Sequence, residues 1–158
     1  MFVYKNHRIH IAGFSFEIPD GYALDQIQSE EYQNSLKMVS PDGSIVIAVR
    51  PYYRNMPGYV IRDAYSMLKE FLTDSEDCFG TAEEIKTVNR CGLEGYCTSY
   101  KLDNIYYYEE KYDIPENEYG ICVLEIVIEA RKGRALEEVM SDTVVKQFWA
   151  ELDTFTVR

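Results

Sequence analysis

Between Ile121 and Arg131 the chain reads Ile-Cys-Val-Leu-Glu-Ile-Val-Ile-Glu-Ala-Arg, an uninterrupted run with no Gly or Pro. Its period is two: Cys122, Leu124, Ile126, Ile128 and Ala130 fall on one side, while Val123 and Val127 share the other with Glu125 and Glu129. Such a segment commits the chain to a sheet with one apolar face and one face that is only partly covered. A second run, Ile45-Val46-Ile47-Ala48-Val49, is apolar on both sides and calls for cover above and below. The sheet is therefore expected to be a middle layer.

The other elements follow from turn chemistry and periodicity. Ser40-Pro41-Asp42-Gly43-Ser44 joins the strand Leu36–Val39 to the one beginning at Ile45. Phe14-Ser15-Phe16-Glu17-Ile18 alternates and stops at Pro19-Asp20-Gly21, with Ile9-His10-Ile11 in the same strand or a neighbour. A polar stretch from Gln26 to Ser35 carries no element. Later strands are expected at Glu84–Val88, Tyr96–Leu102, Ile105–Asp113 and Ile121–Arg131, with Asp103-Asn104 as a two-residue turn and Gly92-Leu93-Glu94-Gly95 as another turn.

Two segments switch to helical period. Val60, Ile61, Ala64, Tyr65, Leu68, Phe71 and Leu72 lie on one stripe, opposite Arg62, Asp63, Ser66, Lys69 and Glu70. After Gly133, a second stripe takes in Leu136, Val139, Met140, Thr143, Val144 and Phe148, and Phe155-Thr156-Val157 suggests a closing strand. Runs of strands with two separate helices indicate an α+β fold: an antiparallel sheet of about six to seven strands with helices packed on it, an αβα-type sandwich. At 158 residues and 46% apolar content, one domain spanning 1–158 has enough material for its own core.

Charge narrows the partners. Against 16 Lys and Arg stand 27 Asp and Glu, a net −11 that repels phosphate backbones and anionic lipid. No run approaches the roughly 18 apolar residues of a membrane span, and the first residues lack the pattern of an export signal. The expectation is a cytoplasmic protein with neither a nucleic-acid partner nor a membrane span. Cys78, Cys91, Cys97 and Cys122 are then expected to be reduced, although a hairpin at Gly92–Gly95 would bring Cys91 and Cys97 opposite each other. Five residues between those two, with no His nearby, do not suit zinc.

No pattern points to catalysis or to a cofactor. His7 and His10, three apart, face opposite ways on a strand and cannot clamp one metal. Gly13-Phe14-Ser15-Phe16-Glu17 lacks the second glycine of a nucleophile elbow, and Gly92–Gly95 lacks the Lys-Ser/Thr of a phosphate loop. Carboxylates cluster at Asp74–Asp77, Glu83-Glu84, Glu109-Glu110 and Glu116–Glu118, where they read mainly as a solvated face. Asp74 to Glu84 lacks the alternating donors and central Gly of a calcium loop.

Tyrosine is the unusual residue, 14 in all, concentrated in Ile105–Tyr112. Alternation puts Tyr106, Tyr108 and Tyr112 on one side of a strand and Tyr107, Glu109 and Lys111 on the other. Tyrosine combines large contact area with a polar tip, so the first three are the candidate partner-binding residues, extended by Tyr52, Tyr53, Tyr59 and Tyr119. Packing beneath helices is the alternative use of the same rings.

The order of signals resembles the PsbP/DcrB-like superfamily. The matching parts are Phe14–Tyr22, a strand into Pro-x-Gly-aromatic; the Pro41–Ile45 hairpin; the helix from Val60; Gly92–Gly95; and the last helix running into Leu152-Asp153-Thr154-Phe155. The resemblance implies an antiparallel sheet between helices and adaptor roles, since members include a photosystem subunit, a Ran-binding import factor and chaperones of secreted effectors.

Three functions fit these residues. The leading one is a non-enzymatic adaptor that binds a protein or peptide, basic by charge complementarity, through Tyr106, Tyr108 and Tyr112. The alternative is a small-ligand binder or enzyme with a pocket between sheet and helix, using tyrosines and a buried carboxylate such as Glu110. A third is homo-oligomerisation through an open sheet edge.

Overall fold

A computed structural model of the chain describes residues 2–5, 7–11, 14–29, 33–54, 63–74 and 82–152, the side chains of 2–5, 25–29 and 33–34 excepted. Among the described residues are β1 (Phe2–Lys5), β2 (Arg8–Ile11), β3 (Phe14–Glu17), β4 (Ala23–Ser29), β5 (Gln33–Val39), β6 (Ile45–Tyr53), α1 (Ala64–Asp74), β7 (Lys86–Arg90), β8 (Leu93–Leu102), β9 (Ile105–Asp113), β10 (Ile121–Ala130), α2 (Leu136–Met140) and α3 (Thr143–Leu152). The fold is α+β. A seven-stranded sheet runs β4-β5-β6-β10-β9-β8-β7, and a three-stranded sheet runs β1-β2-β3. Every strand pair is antiparallel. Helix α1 lies on one face of the large sheet over β8 and β9, whereas α2 and α3 cover the other with the small sheet against α3. The large sheet is thus a middle layer.

Tight turns hold this meander together. Asp103 and Asn104 both take positive φ, 51° and 64°, as a type I′ hairpin requires. In the β5–β6 hairpin, Asp42 accepts from Ser44 N (2.9 Å), Ser44 Oγ (2.8 Å) and Ser40 Oγ (2.8 Å), while Gly43 supplies φ +73°. Those hydrogen bonds, from Ser44 and then Ser40, hold the Asp42 carboxyl down at about 2. The β7–β8 turn is Cys91-Gly92 alone: Leu93, Glu94 and Gly95 already belong to β8, not to the longer turn expected there.

The main core lies between the large sheet, α2, α3 and the small sheet, with Leu36, Ile47, Leu124, Ile126 and Ile128 from the sheet against Val145, Phe148 and Leu152. Phe148 meets Phe16 edge-on, ring centroids 5.3 Å apart, which anchors the small sheet to α3. Arg8 and Glu17 N both reach Glu151 at the end of α3 and reinforce that contact.

Several local expectations shift. The polar stretch from Gln26 contains most of β4, which pairs with β5 along its length. Lys86–Arg90 forms a strand two residues further on than Glu84–Val88. The C-terminal helical stripe breaks at Ser141-Asp142 into α2 and α3; the break rotates the phase, so Val145 and Trp149 are buried, and Val144 is only half-buried. In β10 a register irregularity between Ile121 and Val123 turns Ile121 toward the main core, leaving Cys122 half-buried beside Val123 on the α1 side. Helix α1 buries Ala64, Met67 and Leu68, with Tyr65 and Phe71 exposed. Val60, Ile61 and Phe155–Val157 lie outside the described residues.

Candidate functional site

The candidate tyrosines share one face of β9, and it is the face that α2 and α3 cover. Tyr112 is 2% exposed, Tyr108 is half-buried edge-on to Trp149, and Tyr106, at the end of β9 beside Lys101, is 37% exposed. Between them Glu110, fully buried, holds Arg90 through two hydrogen bonds of 2.8 and 3.1 Å and accepts from Tyr108 OH at 2.7 Å. Arg90 also donates to Tyr112 OH (2.9 Å) and stacks on Trp149 at 4.1 Å. Burial first, then the Glu110 carboxylate, pushes the Tyr108 hydroxyl well above the usual tyrosine range. This network ties β7 and β9 to α3. Of the three candidate tyrosines, Tyr106 alone is exposed.

The opposite face of the same strands is the open one. Antiparallel register sets residues from successive strands in rows. One row runs Arg50–Glu125–Lys111–Tyr96 from β6 through β10 and β9 to β8, alternating in charge over its first three members. The next runs Lys37–Ala48–Val127–Glu109–Thr98, charged near its ends and apolar in the middle. A third runs Val46–Glu129–Tyr107–Tyr100. Helix α1 lies mainly over the β8–β9 side of these rows, and its Met67, Glu70 and Phe71 form a wall over a cleft of about 580 Å³. The sheet supplies the floor.

Helix α1 is fixed by carboxylates at its start. Asp63 accepts from Ser66 N (2.8 Å) and Ser66 Oγ (3.0 Å), while Asp113 of β9 accepts from Ala64 N at 2.7 Å. Beneath it Tyr52, Met67 and Val123 form a small apolar cluster. Tyr65 meets Tyr96 edge-on at 5.1 Å.

Charge is concentrated in the cleft floor. The Lys111 ammonium, almost fully buried, bonds both Glu109 and Glu125. Burial opposes its charge, but Glu125 and then Glu109 outweigh that and raise its pKa. Burial also resists ionisation of Glu125, yet Lys111 and Arg50 hold its carboxyl below the usual range. Glu109 is different: 3% exposed, it shares Lys111 with Glu125, and burial with the neighbouring carboxylate pushes it up to about 7. It accepts from Tyr100 OH at 2.9 Å and, when protonated, donates to Glu125. The floor therefore holds a carboxyl group that changes charge near neutral pH.

The remaining candidates lie apart from this cleft. His7 sits in the β1–β2 turn and His10 on an exposed position of β2. Cys91, Cys97 and Cys122 are free thiols; the β7–β8 register places Cys97 opposite Lys86 with Cys91 in the turn, so the hairpin does not bring the two cysteines opposite each other. Tyr53 packs against the main core, Tyr119 is exposed in the β9–β10 connection, and Tyr59 and Cys78 are outside the described residues. Among the described residues no three His, Cys, Asp or Glu converge as metal ligands, and no helix is long and apolar enough to cross a membrane. Compared with protein-family models, curated proteins and solved structures, the chain matches none.

Proposed function

We propose that this protein binds a small organic molecule in the cleft between α1 and the open face of β6, β10 and β9. One observation carries the reading: a cavity of about 580 Å³ whose floor sets buried ionised groups beside an apolar strip of Ala48 and Val127. That volume falls within the range of about 300–1,000 Å³ usual for ligand sites, which combine an apolar lining with a few placed polar groups. Burying Lys111, Glu109 and Glu125 costs solvation that a purely structural face avoids by packing apolar residues. Glu109, and not Glu110, is the buried carboxylate available to a ligand.

The test is ligand-observed NMR with a panel of small aromatic amines, alcohols and acids on the full chain, repeated on Val127→Trp, which fills the floor from within. Binding that the tryptophan removes while the circular dichroism spectrum is retained supports the reading. A panel in which no member binds, or in which every binder is indifferent to Val127→Trp, rejects it.

A second reading, a protein- or peptide-binding adaptor, draws on Tyr65 and Phe71, which are exposed on α1, and on Tyr106. A net charge of −11 would steer a basic partner to it. The resemblance to the PsbP/DcrB-like superfamily belongs with this reading, as a scaffold that lends one face to different partners. Self-association would use β4 or β7, the outer strands of the large sheet. A reducing cytoplasm suits the free thiols of Cys91, Cys97 and Cys122.

A further inference from the structure

The β8–β9 end of the cleft differs chemically from the β5–β6 end. At the former, three rings gather: Phe71 of α1 lies 5.4 Å from Tyr100, which stacks on Tyr107 at 5.0 Å with 14° between the planes. Glu109 and Glu129 lie beside these rings in the floor, and Glu70 lines the wall above. Of the lining cations, Lys111 lies in the floor between Glu109 and Glu125, and the other two stand apart from the rings. Arg50 and Lys37 belong to β6 and β5 at the far end, and Arg50 already serves Glu125 and donates to Tyr52 OH at 3.3 Å. We infer that the aromatic, carboxylate-lined corner of the cleft binds the cationic head of an organic amine carried on an apolar body, and that this cation competes with a proton for Glu109. The inference rests on the reading of the cleft as a ligand site and adds the chemistry of the ligand.

Charge balance within the floor supports it. Glu125 has a cation on either side, Lys111 and Arg50, whereas Glu109 has only the shared Lys111. Glu129 is compensated by Arg131 at 3.3 Å. From β8, Glu109 meets Thr98 and Tyr100, which are neutral; from β10, two carboxylates; from β6 and β5, Arg50 and Lys37 at a distance of two or more strands; from α1, Glu70. Glu109 therefore shares its one cation with a second carboxylate, and a proton or a ligand cation can complete its balance. Ring faces attract an ammonium or amidinium through their quadrupoles, most strongly where water is excluded. Ala48 and Val127 lie in the same row as Glu109 and would receive the apolar body. An anionic head at the same place would stand against the Glu109 carboxylate.

The experiment compares three probes of one shape on the full chain, benzylamine, benzyl alcohol and benzoate, by titration calorimetry or NMR at pH 6 and pH 8. At pH 8, benzylamine is expected to bind tightest. Benzylamine itself stays protonated over this range, so its affinity should fall about tenfold toward pH 6 as Glu109 takes up a proton. Glu109→Gln should lower benzylamine affinity at pH 8 by about tenfold and flatten the pH dependence. Should that variant not fold, the comparison of the three probes on the unmodified chain decides alone. Benzyl alcohol or benzoate binding as tightly as benzylamine, and lost in Val127→Trp, overturns the cation while leaving the cleft as a ligand site. Benzylamine affinity unchanged between the two pH values overturns the competition with a proton. Absence of binding by all three up to about 10 mM, a range that weak fragments reach, rejects both this inference and the cleft reading.

Discussion

Glu109 and Glu110 are adjacent in the chain, yet the pleat of β9 sends the first carboxyl into the cleft beside Lys111 and the second into the packed face against Arg90. Their substitutions should therefore fail differently. Glu110→Gln leaves the Arg90 guanidinium without its counter-charge in a largely buried place, and urea denaturation should show a loss of about 3 kcal/mol or more. Glu109→Gln should instead change the dependence of stability on pH. The folded Glu109 holds its proton up to about 7, against an ordinary value of 4.5, so its contribution is fully present below 4.5 and is lost as pH rises through 7. Relative to the unmodified chain, the glutamine variant should gain stability steadily between those values in urea titrations; a constant difference would refute the assignment. Alternation alone already puts Tyr107, Glu109 and Lys111 opposite Tyr106, Tyr108 and Tyr112. It does not say which of the two faces is packed, because that depends on where helices distant in the chain come to rest, and so Glu110 rather than Glu109 looked like the pocket carboxylate.

Helix α1 is the element on which the cleft depends, since it supplies the wall, and its first N–H is held by Asp113, a strand residue 49 positions later. Asp113→Ala should cost about 1 kcal/mol, the usual value of a lost helix cap, and should speed hydrogen exchange in α1 while leaving β6 and β10 protected. Equal protection of α1 in the variant would show that packing alone seats the helix. Glycine has a similar part across the sheet: a Cβ on Gly95 would stand 2.6 Å from Tyr112 Cδ1 and 2.7 Å from the Lys111 carbonyl oxygen. Gly95→Ala should then cost about 2 kcal/mol or more by displacing the Tyr112 ring, a loss that a thermal melt would register. Elements bounded by strong turn chemistry, such as the Asp103-Asn104 hairpin and the Pro41–Gly43 reversal, are legible in the sequence because the backbone there demands particular residues. β4 is not legible, as Asp25-Gln26-Ile27-Gln28-Ser29 is too polar to announce a strand and is held by pairing with β5. The register irregularity at Cys122 and the break at Ser141-Asp142 each change the phase of a correctly recognised pattern, which periodicity counted from one end cannot foresee.

At the scale of the whole molecule, the middle-layer sheet with helices on both faces was legible from two segments, the doubly apolar β6 and the half-apolar β10, and these two strands turn out to be neighbours. The sheet consists of two contiguous meanders, β4-β5-β6 and β7-β8-β9-β10, joined to each other only along the β6–β10 border. Every other pairing in the large sheet links strands consecutive in the chain and closes a short loop, except this one, which spans a connection containing α1. The same border carries Arg50 opposite Glu125 and Ala48 opposite Val127, so the cleft floor comes into being only when the two meanders meet. A chain divided between residues 54 and 63 should accordingly behave as two complementary polypeptides. Expressed together, they should copurify and regain benzylamine binding if the amine assignment holds, whereas each alone would present an unpaired central strand and precipitate; failure to copurify would show that the covalent connection itself is needed to close the sheet. Such a split protein would make the cleft an assembled object, present or absent according to whether its two halves have found each other.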